Sequence, residues 1–208
     1  MIEALQNKWH FILASTSPRR RELLASMGFT FESKAPKFDE VPHPSETATD
    51  YCLRNALGKA QAVLEEYKDQ LPNSSLILAS DTIVVLDDLI IEKPTDKKDA
   101  ARILGQLSGR THQVFTACAF LEWNGSNIVQ SHTFLDCSQV TFRILHSEEI
   151  NHYLKSDEAM DKAGAYGIQG KSAYFIENIS GSYTGVMGLP LGAVYEKLVQ
   201  LSKLSYQD

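Results

Sequence analysis

Along this chain, continuous apolar runs alternate with apolar residues spaced three and four apart, and the changes of period set most of the expected elements. The run Phe11-Ile12-Leu13-Ala14 reads as a buried strand. It enters Ser15-Thr16-Ser17-Pro18, where Ser17 is placed as an N-cap and Pro18 at the first helical position. Leu23, Leu24 and Met27 give that helix its apolar face, Gly28 its C-cap, and a short strand follows at 30–33. The Pro-rich stretch 35–44 is a loop. From about 45 to 67, Tyr51, Leu53, Ala56, Leu57, Ala60 and Leu64 recur at helical spacing, and the helix ends before Pro72.

Leu76-Ile77-Leu78-Ala79 is short, apolar and bounded by polar residues, as a strand covered on both faces is, and it leads into Ser80-Asp81-Thr82. Residues 83–86 and 89–91 form a hairpin pattern around Asp87-Asp88. A helix capped by Thr95 or Asp96 runs to about Leu107 and stops at Gly109. A longer hairpin pattern covers 114–123, the Asn124-Gly125 turn and 128–144, and after it come a helix at 147–155, a glycine-rich loop, a strand near 173–179 and an amphipathic helix after Pro190. Strands alternating with helices, plus long antiparallel hairpins, predict an α/β fold with a mixed twisted sheet flanked by helices. Residues 1–208 are expected to form a single domain, with two lobes around a central cleft as the variant of that reading. Ligands in such folds collect beyond the carboxyl ends of strands, and Ser15 and Asp81 both read as such ends.

Composition narrows the function classes more than the fold. A formal net charge of −6 disfavours a general nucleic-acid or membrane binder, so Arg19-Arg20-Arg21 is a local basic exception in an acidic chain. The three cysteines, Cys52, Cys118 and Cys137, have neither the number nor the spacing of a disulfide framework or a zinc site, which fits a reducing cytoplasm. No signal-like N-terminus is present and no apolar run approaches the roughly 18 residues of a membrane span, so a soluble, unexported protein is expected.

Candidate chemistry gathers in four places. At the first helix, unpaired backbone N–H groups, the hydroxyls of Ser15, Thr16 and Ser17 and three guanidinium groups converge on one expected anion; the plainer alternative is a basic turn exposed to water. Asp81 lies between apolar stretches, where a carboxylate needs a cation or a metal, and a turn at Asp87-Asp88 brings Lys93 opposite it across two strands; a simple cross-strand ion pair is the alternative reading. Asp39-Glu40 sits in a loop where solvated acids are common, but Glu40 with Asp81 makes the carboxylate pair that a phosphate-bound divalent ion takes. The segment 161–170, with three glycines, Tyr166 and Gln169, allows close backbone approach to a ligand, against the alternative of a flexible surface loop. Scattered histidines and the lack of P-loop, nucleophile-elbow and dinucleotide fingerprints disfavour zinc enzymes, P-loop NTPases, α/β hydrolases and Rossmann oxidoreductases.

Three blocks in order, Ser15-Thr16-Ser17-Pro18-Arg19-Arg20, Ser80-Asp81-Thr82-Ile83-Val84 through Glu92-Lys93-Pro94, and Asp161 to Gly170, resemble the Maf family of nucleotide pyrophosphatases. Residues 107–114 and Val186-Met187-Gly188-Leu189-Pro190 look like further family segments, so the likeness spans nearly the whole chain. It implies a fold related to inosine triphosphate pyrophosphatases, often dimeric, and a divalent cation, Mg²⁺ or Mn²⁺. It also implies cleavage of a nucleoside triphosphate between the α and β phosphates. Asp81 matches the family's proton acceptor; Ser15, Arg20, Lys59 and Lys93 match phosphate-handling positions; Glu40 matches an acidic residue that helps with metal. Arg19, Thr82 and Gln169 match the positions that distinguish substrate branches, and all three resemble the dTTP/UTP branch rather than the 7-methyl-GTP branch. The same likeness carries links to clearance of non-standard nucleotides and to restraint of septum formation. The rival from another class is a non-catalytic nucleotide-binding regulator of septum formation.

Overall fold

The computed structural model describes residues 1–204. Helices α1 (Ile2–Lys8), α2 (Pro18–Ser26), α3 (Ala48–Tyr67), α4 (Lys97–Leu107), α5 (Ser147–Tyr153), α6 (Tyr183–Val186) and α7 (Leu191–Ser202) surround one sheet. The sheet is built from β1 (His10–Ala14), β2 (Glu32–Lys34), β3 (Ser75–Leu86), β4 (Leu89–Ile91), β5 (Thr111–Trp123), β6 (Ile128–Phe142) and β7 (Ile176–Ser180). Strand order is β2-β1-β3-β5-β6-β7, with β4 attached to β3. The β1–β2 and β1–β3 pairs are parallel and the others antiparallel, so the sheet is mixed, as the alternating pattern predicts.

Side-chain alternation along β3 divides the interior. Ile77, Ala79, Ile83 and Val85 face α3 and pack with Ala56, Ala60 and Val63. Leu76, Leu78, Val84 and Leu86 face the other way, into the larger cluster with Leu24, Leu104, Phe142 and Leu198. Tyr166 and Phe175 belong to that larger cluster too.

The local signals hold where the geometry is local. Ser17 caps α2 with Pro18 at its start, and Gly28 follows the helix with φ +87°. The β3–β4 turn has both Asp87 and Asp88 at positive φ, and Leu86 pairs with Leu89, the two-residue hairpin geometry that matches strand twist. Three expectations are corrected and one helix is unforeseen. The long helix begins at Ala48 behind a Thr47 cap rather than at 45, because the Thr47 hydroxyl accepts from Asp50 N and ends the loop there. The strand near 173–179 is Ile176–Ser180, since residues 173–175 close a 3₁₀ turn first. Helix α1 has no side-chain cap and no expected counterpart; its one buried residue, Leu5, joins the core. Finally, β3 is one continuous strand of 12 residues, so Asp81 is at mid-strand and not at a carboxyl end.

That last correction locates the opening in the sheet. On one side β3 pairs with β5 throughout, Asp81 with Ala117 and Thr82 with Thr116. On the other side β1 pairs only as far as Ala79 and β4 begins only at Val84, so residues 80–83 have no strand partner on that edge.

Candidate active site

The break beside residues 80–83 opens into a cavity of about 620 Å³. All nine residues singled out from the sequence line it: Ser15, Arg19, Arg20, Glu40, Lys59, Asp81, Thr82, Lys93 and Gln169. Because Asp81 and Thr82 are neighbours on a strand, their side chains leave on opposite faces, and the cavity receives both.

On the α3 face the groups are charged. Asp81 is 3% exposed, and its Oδ1 lies 2.5 Å from Lys59 Nζ. The same ammonium lies 2.8 Å from Glu40 Oε1, so Lys59 joins a buried acid to one at the rim. Asn55, fully buried on α3, donates from Nδ2 to Asp81 Oδ2 at 3.3 Å, while its own Oδ1 has no partner among the described residues. Helical spacing explains why Asn55 and Lys59 act together: four residues apart, they occupy one face of α3. Tyr51, one turn earlier, donates its hydroxyl to the Glu40 carbonyl and ties the acidic loop to the helix. Burial together with the nearby Glu40 and Asp81 raises Glu92 above the ordinary carboxylate range, a sign of concentrated negative charge on this side.

On the α2 face the partners are neutral. Arg20 donates from Nε to the Gly188 carbonyl at 3.0 Å and from Nη2 to Thr82 Oγ1 at 3.1 Å. Among the described residues no carboxylate lies within 4.0 Å of its guanidinium. Burial lowers the Arg20 pKa, opposed chiefly by the attraction of Asp81 across the strand. Ser15 is buried below, its Oγ accepting from Ser17 N at 3.1 Å.

The three arginines do not converge as expected. Successive helical residues point about 100° apart. Arg20 therefore turns into the cavity, Arg19 reaches Asp161 at 3.5 Å on the facing loop, and Arg21 is exposed away from the cavity. Lys93 is also not the partner of Asp81: β4 ends at Ile91, Lys93 is exposed at the rim, and the ammonium from α3 takes that place.

The segment 161–170 is packed and not a loose loop. Tyr166 is buried with its hydroxyl 2.7 Å from His112 Nε2, and Ser172 Oγ both accepts from Gly167 N and donates to Gly167 O. Gly164 is required here: φ is +71°, and a Cβ would stand 3.0 Å from Val84 Cγ2. Gln169 is left exposed at the cavity mouth.

Among the described residues no three His, Cys, Asp or Glu side chains gather as a metal cage. The donors that do converge, Asp81 and Glu40 on one cation position, are all oxygen and suit a hard divalent ion that takes its other ligands from phosphate and water. Sequence reasoning missed Asn55, Thr116 and Gly185 and gave Gly188 no role beyond its family segment: Asn55 enters on the α3 face it shares with Lys59, Thr116 through its register with Thr82, and the two glycine carbonyls through α6 and the turn after it.

These features define an α/β protein with a polyanion-sized cavity set into a break of its sheet, one wall acidic and the other presenting an arginine. Residues 10–201 match the family described as Maf-like protein, and the chain belongs to that family. Among curated relatives, it is 46% identical over 195 residues to the dTTP/UTP pyrophosphatase of Escherichia coli (strain K12), covering 92% of this chain and 93% of that protein. It is 50% identical over 188 residues to the dTTP/UTP pyrophosphatase of Aromatoleum aromaticum, covering 86% and 89%. Solved structures include a HAM1 protein from Coxiella burnetii, 14% identical with a TM-score of 0.46 over 94% of this chain and 100% of that one. Another is a nucleoside-triphosphatase, dITP/XTP pyrophosphatase, from Mycobacterium abscessus, 18% identical with a TM-score of 0.42 over 64% and 74%.

Proposed function

We propose that this protein is a nucleoside triphosphate pyrophosphatase that hydrolyses dTTP and UTP between the α and β phosphates. The observation that carries the reading is the pair of full-length relatives of that name at 46% and 50% identity. The cavity supports it by placing Arg20, held on neutral oxygens, across the strand from a buried Asp81.

In this reading Arg20, Lys59 and Lys93 take up triphosphate charge, and Ser15 lines the phosphate end. Phosphate oxygens draw Lys59 from Asp81, and the freed carboxylate orients a water and accepts its proton. The water oxygen bonds to the α-phosphorus as the α–β bridging bond breaks, and pyrophosphate leaves with the nucleoside monophosphate as the other product. Gln169 reads the pyrimidine edge with its paired donor and acceptor, near Arg19. A divalent cation, Mg²⁺ or Mn²⁺, held by Asp81 and Glu40 supplies further neutralisation of the phosphate chain. The chain acts as one domain around this cavity, in the cytoplasm where nucleotides are, as a homodimer and without nucleic-acid or membrane partners.

Pyrophosphate release is measured across the common nucleotides with each metal. Preference for dTTP and UTP is the expected outcome, and equal turnover of all of them overturns the specificity. Tight nucleotide binding with no hydrolysis under either metal supports the regulator of septum formation instead, a reading with no structural observation in its favour.

A further inference from the structure

Thr116 is fully buried on β5, directly opposite Thr82. Its hydroxyl lies 2.8 Å from the Gly185 carbonyl on α6 and 3.0 Å from Thr82 Oγ1. The directions of these bonds follow by elimination. A carbonyl only accepts, so the Thr116 hydrogen goes to Gly185 O. Thr116 Oγ1 then accepts from Thr82, and the Thr82 hydrogen points toward β5. That leaves the lone pairs of Thr82 turned to the Arg20 Nη2–H. A second link fixes the other edge of the guanidinium: Gly188 O accepts from Arg20 Nε and from Ser80 Oγ, the latter at 2.7 Å.

We infer that Thr116 is a positioning residue for phosphate binding: through Thr82 it holds the Arg20 guanidinium on neutral oxygens, aimed into the cavity and, among the described residues, not directly paired with a carboxylate. A carboxylate at either anchor would hold the arginine as firmly but cancel the charge that a phosphate meets. Four successive groups, Arg20, Thr82, Thr116 and Gly185 O, thus pass one hydrogen-bond direction from α2 across two strands to α6. Thr82 acts on substrate through Arg20 and does not need to reach the base.

The inference rests on the proposed reading that Arg20 meets phosphate, and its test uses a probe without a base. Inorganic tripolyphosphate binding is measured by calorimetry for the wild type, Thr116→Val and Thr116→Ser, with thermal melts of each. Removing the hydroxyl weakens binding by roughly tenfold, the scale of one hydrogen bond to a charged group, and Thr116→Ser restores it. With dTTP as substrate, the same loss falls on KM while kcat stays within about twofold. In an Arg20→Ala background Thr116→Val has no further effect on affinity. If Thr116→Val does not fold, Thr82→Val breaks the same chain at a half-buried position and shows the same loss. Wild-type affinity in a folded Thr116→Val, a loss that Thr116→Ser does not rescue, or an equal loss in the Arg20→Ala background overturns the inference. A wild type that binds tripolyphosphate but releases no pyrophosphate from any nucleotide overturns the proposed activity alone, because the affinity comparison still reads Thr116.

Discussion

On the α3 side of the break, Asp81 and Glu40 share the single Lys59 ammonium in an acid–cation–acid chain, whereas on the α2 side, among the described residues, Arg20 is anchored by a hydroxyl and a carbonyl and pairs with no carboxylate. Both walls bury a charged group next to the same four strand residues. The difference lies in what each wall has left to offer. An internal ion pair must be opened before either partner can act, while a cation on neutral anchors keeps its attraction for an incoming anion. On the proposed function, the acidic wall serves chemistry that starts when Lys59 moves, and the arginine wall binding that needs no movement.

Several substitutions break or sharpen this contrast. The largest effect is expected at Asp81: Asp81→Asn lowers pyrophosphate release by about a thousandfold, the middle of the range for a lost general base, measured at a temperature where a thermal melt shows the variant folded. Full turnover in that variant removes the chemical role from the acidic wall. Next, Lys59→Met leaves Asp81 buried without its cation and costs about 3 kcal/mol in denaturant unfolding. Arg20→Met, which strips no partner from any acid, changes stability by less than about 1 kcal/mol but raises KM roughly thirtyfold. Equal destabilisation by the two variants would erase the distinction between the walls.

The packed 161–170 segment rests on an acid-sensitive support, His112 against Tyr166. Burial holds His112 down at about 4, whereas the unfolded chain protonates near 6.5. As pH falls, the unfolded chain therefore takes the proton first. Stability from this site is complete above about pH 6.5 and declines toward pH 4, by about 3 kcal/mol in all. Urea midpoints between pH 7.5 and 4.5 are expected to fall more steeply in the wild type than in His112→Gln. The smallest effect is at the rim, where Asp161→Asn breaks the exposed pair with Arg19 and shifts stability by less than about 0.5 kcal/mol.

How much of this was legible in the sequence depends on how far each interaction reaches. The capped start of α2 and the Asp87-Asp88 turn are set by residues next to one another, and both are found as read. Motif blocks carry Ser15, Arg19, Arg20, Asp81, Thr82, Lys93 and Gln169, and the family resemblance adds Glu40 and Lys59, yet their partners could not be gathered. Asp81 finds its cation on a helix 22 positions earlier, on a face that strand periodicity does not reveal. Reading β3 in two pieces hid the fact that Asp81 and Thr82 divide the cavity between two faces. Thr116 and Gly185 carry no motif at all; they matter only through the β3–β5 register and a carbonyl on a four-residue helix. Helical rotation, not composition, separates the roles of Arg19, Arg20 and Arg21.

The opening between the end of β1 and the start of β4 also has a kinetic meaning. The β3–β4 hairpin closes over a two-residue turn and forms on its own local timescale, but the parallel β1–β3 pairing and the contacts of Arg20 with Thr82 and Gly188 span 62 and 168 positions for the arginine alone. One lip of the cavity is therefore made early and the other late. On the proposed function, polyphosphate binding needs those long-range contacts closed, so nucleotide added to refolding protein is expected to report a late step of assembly rather than collapse.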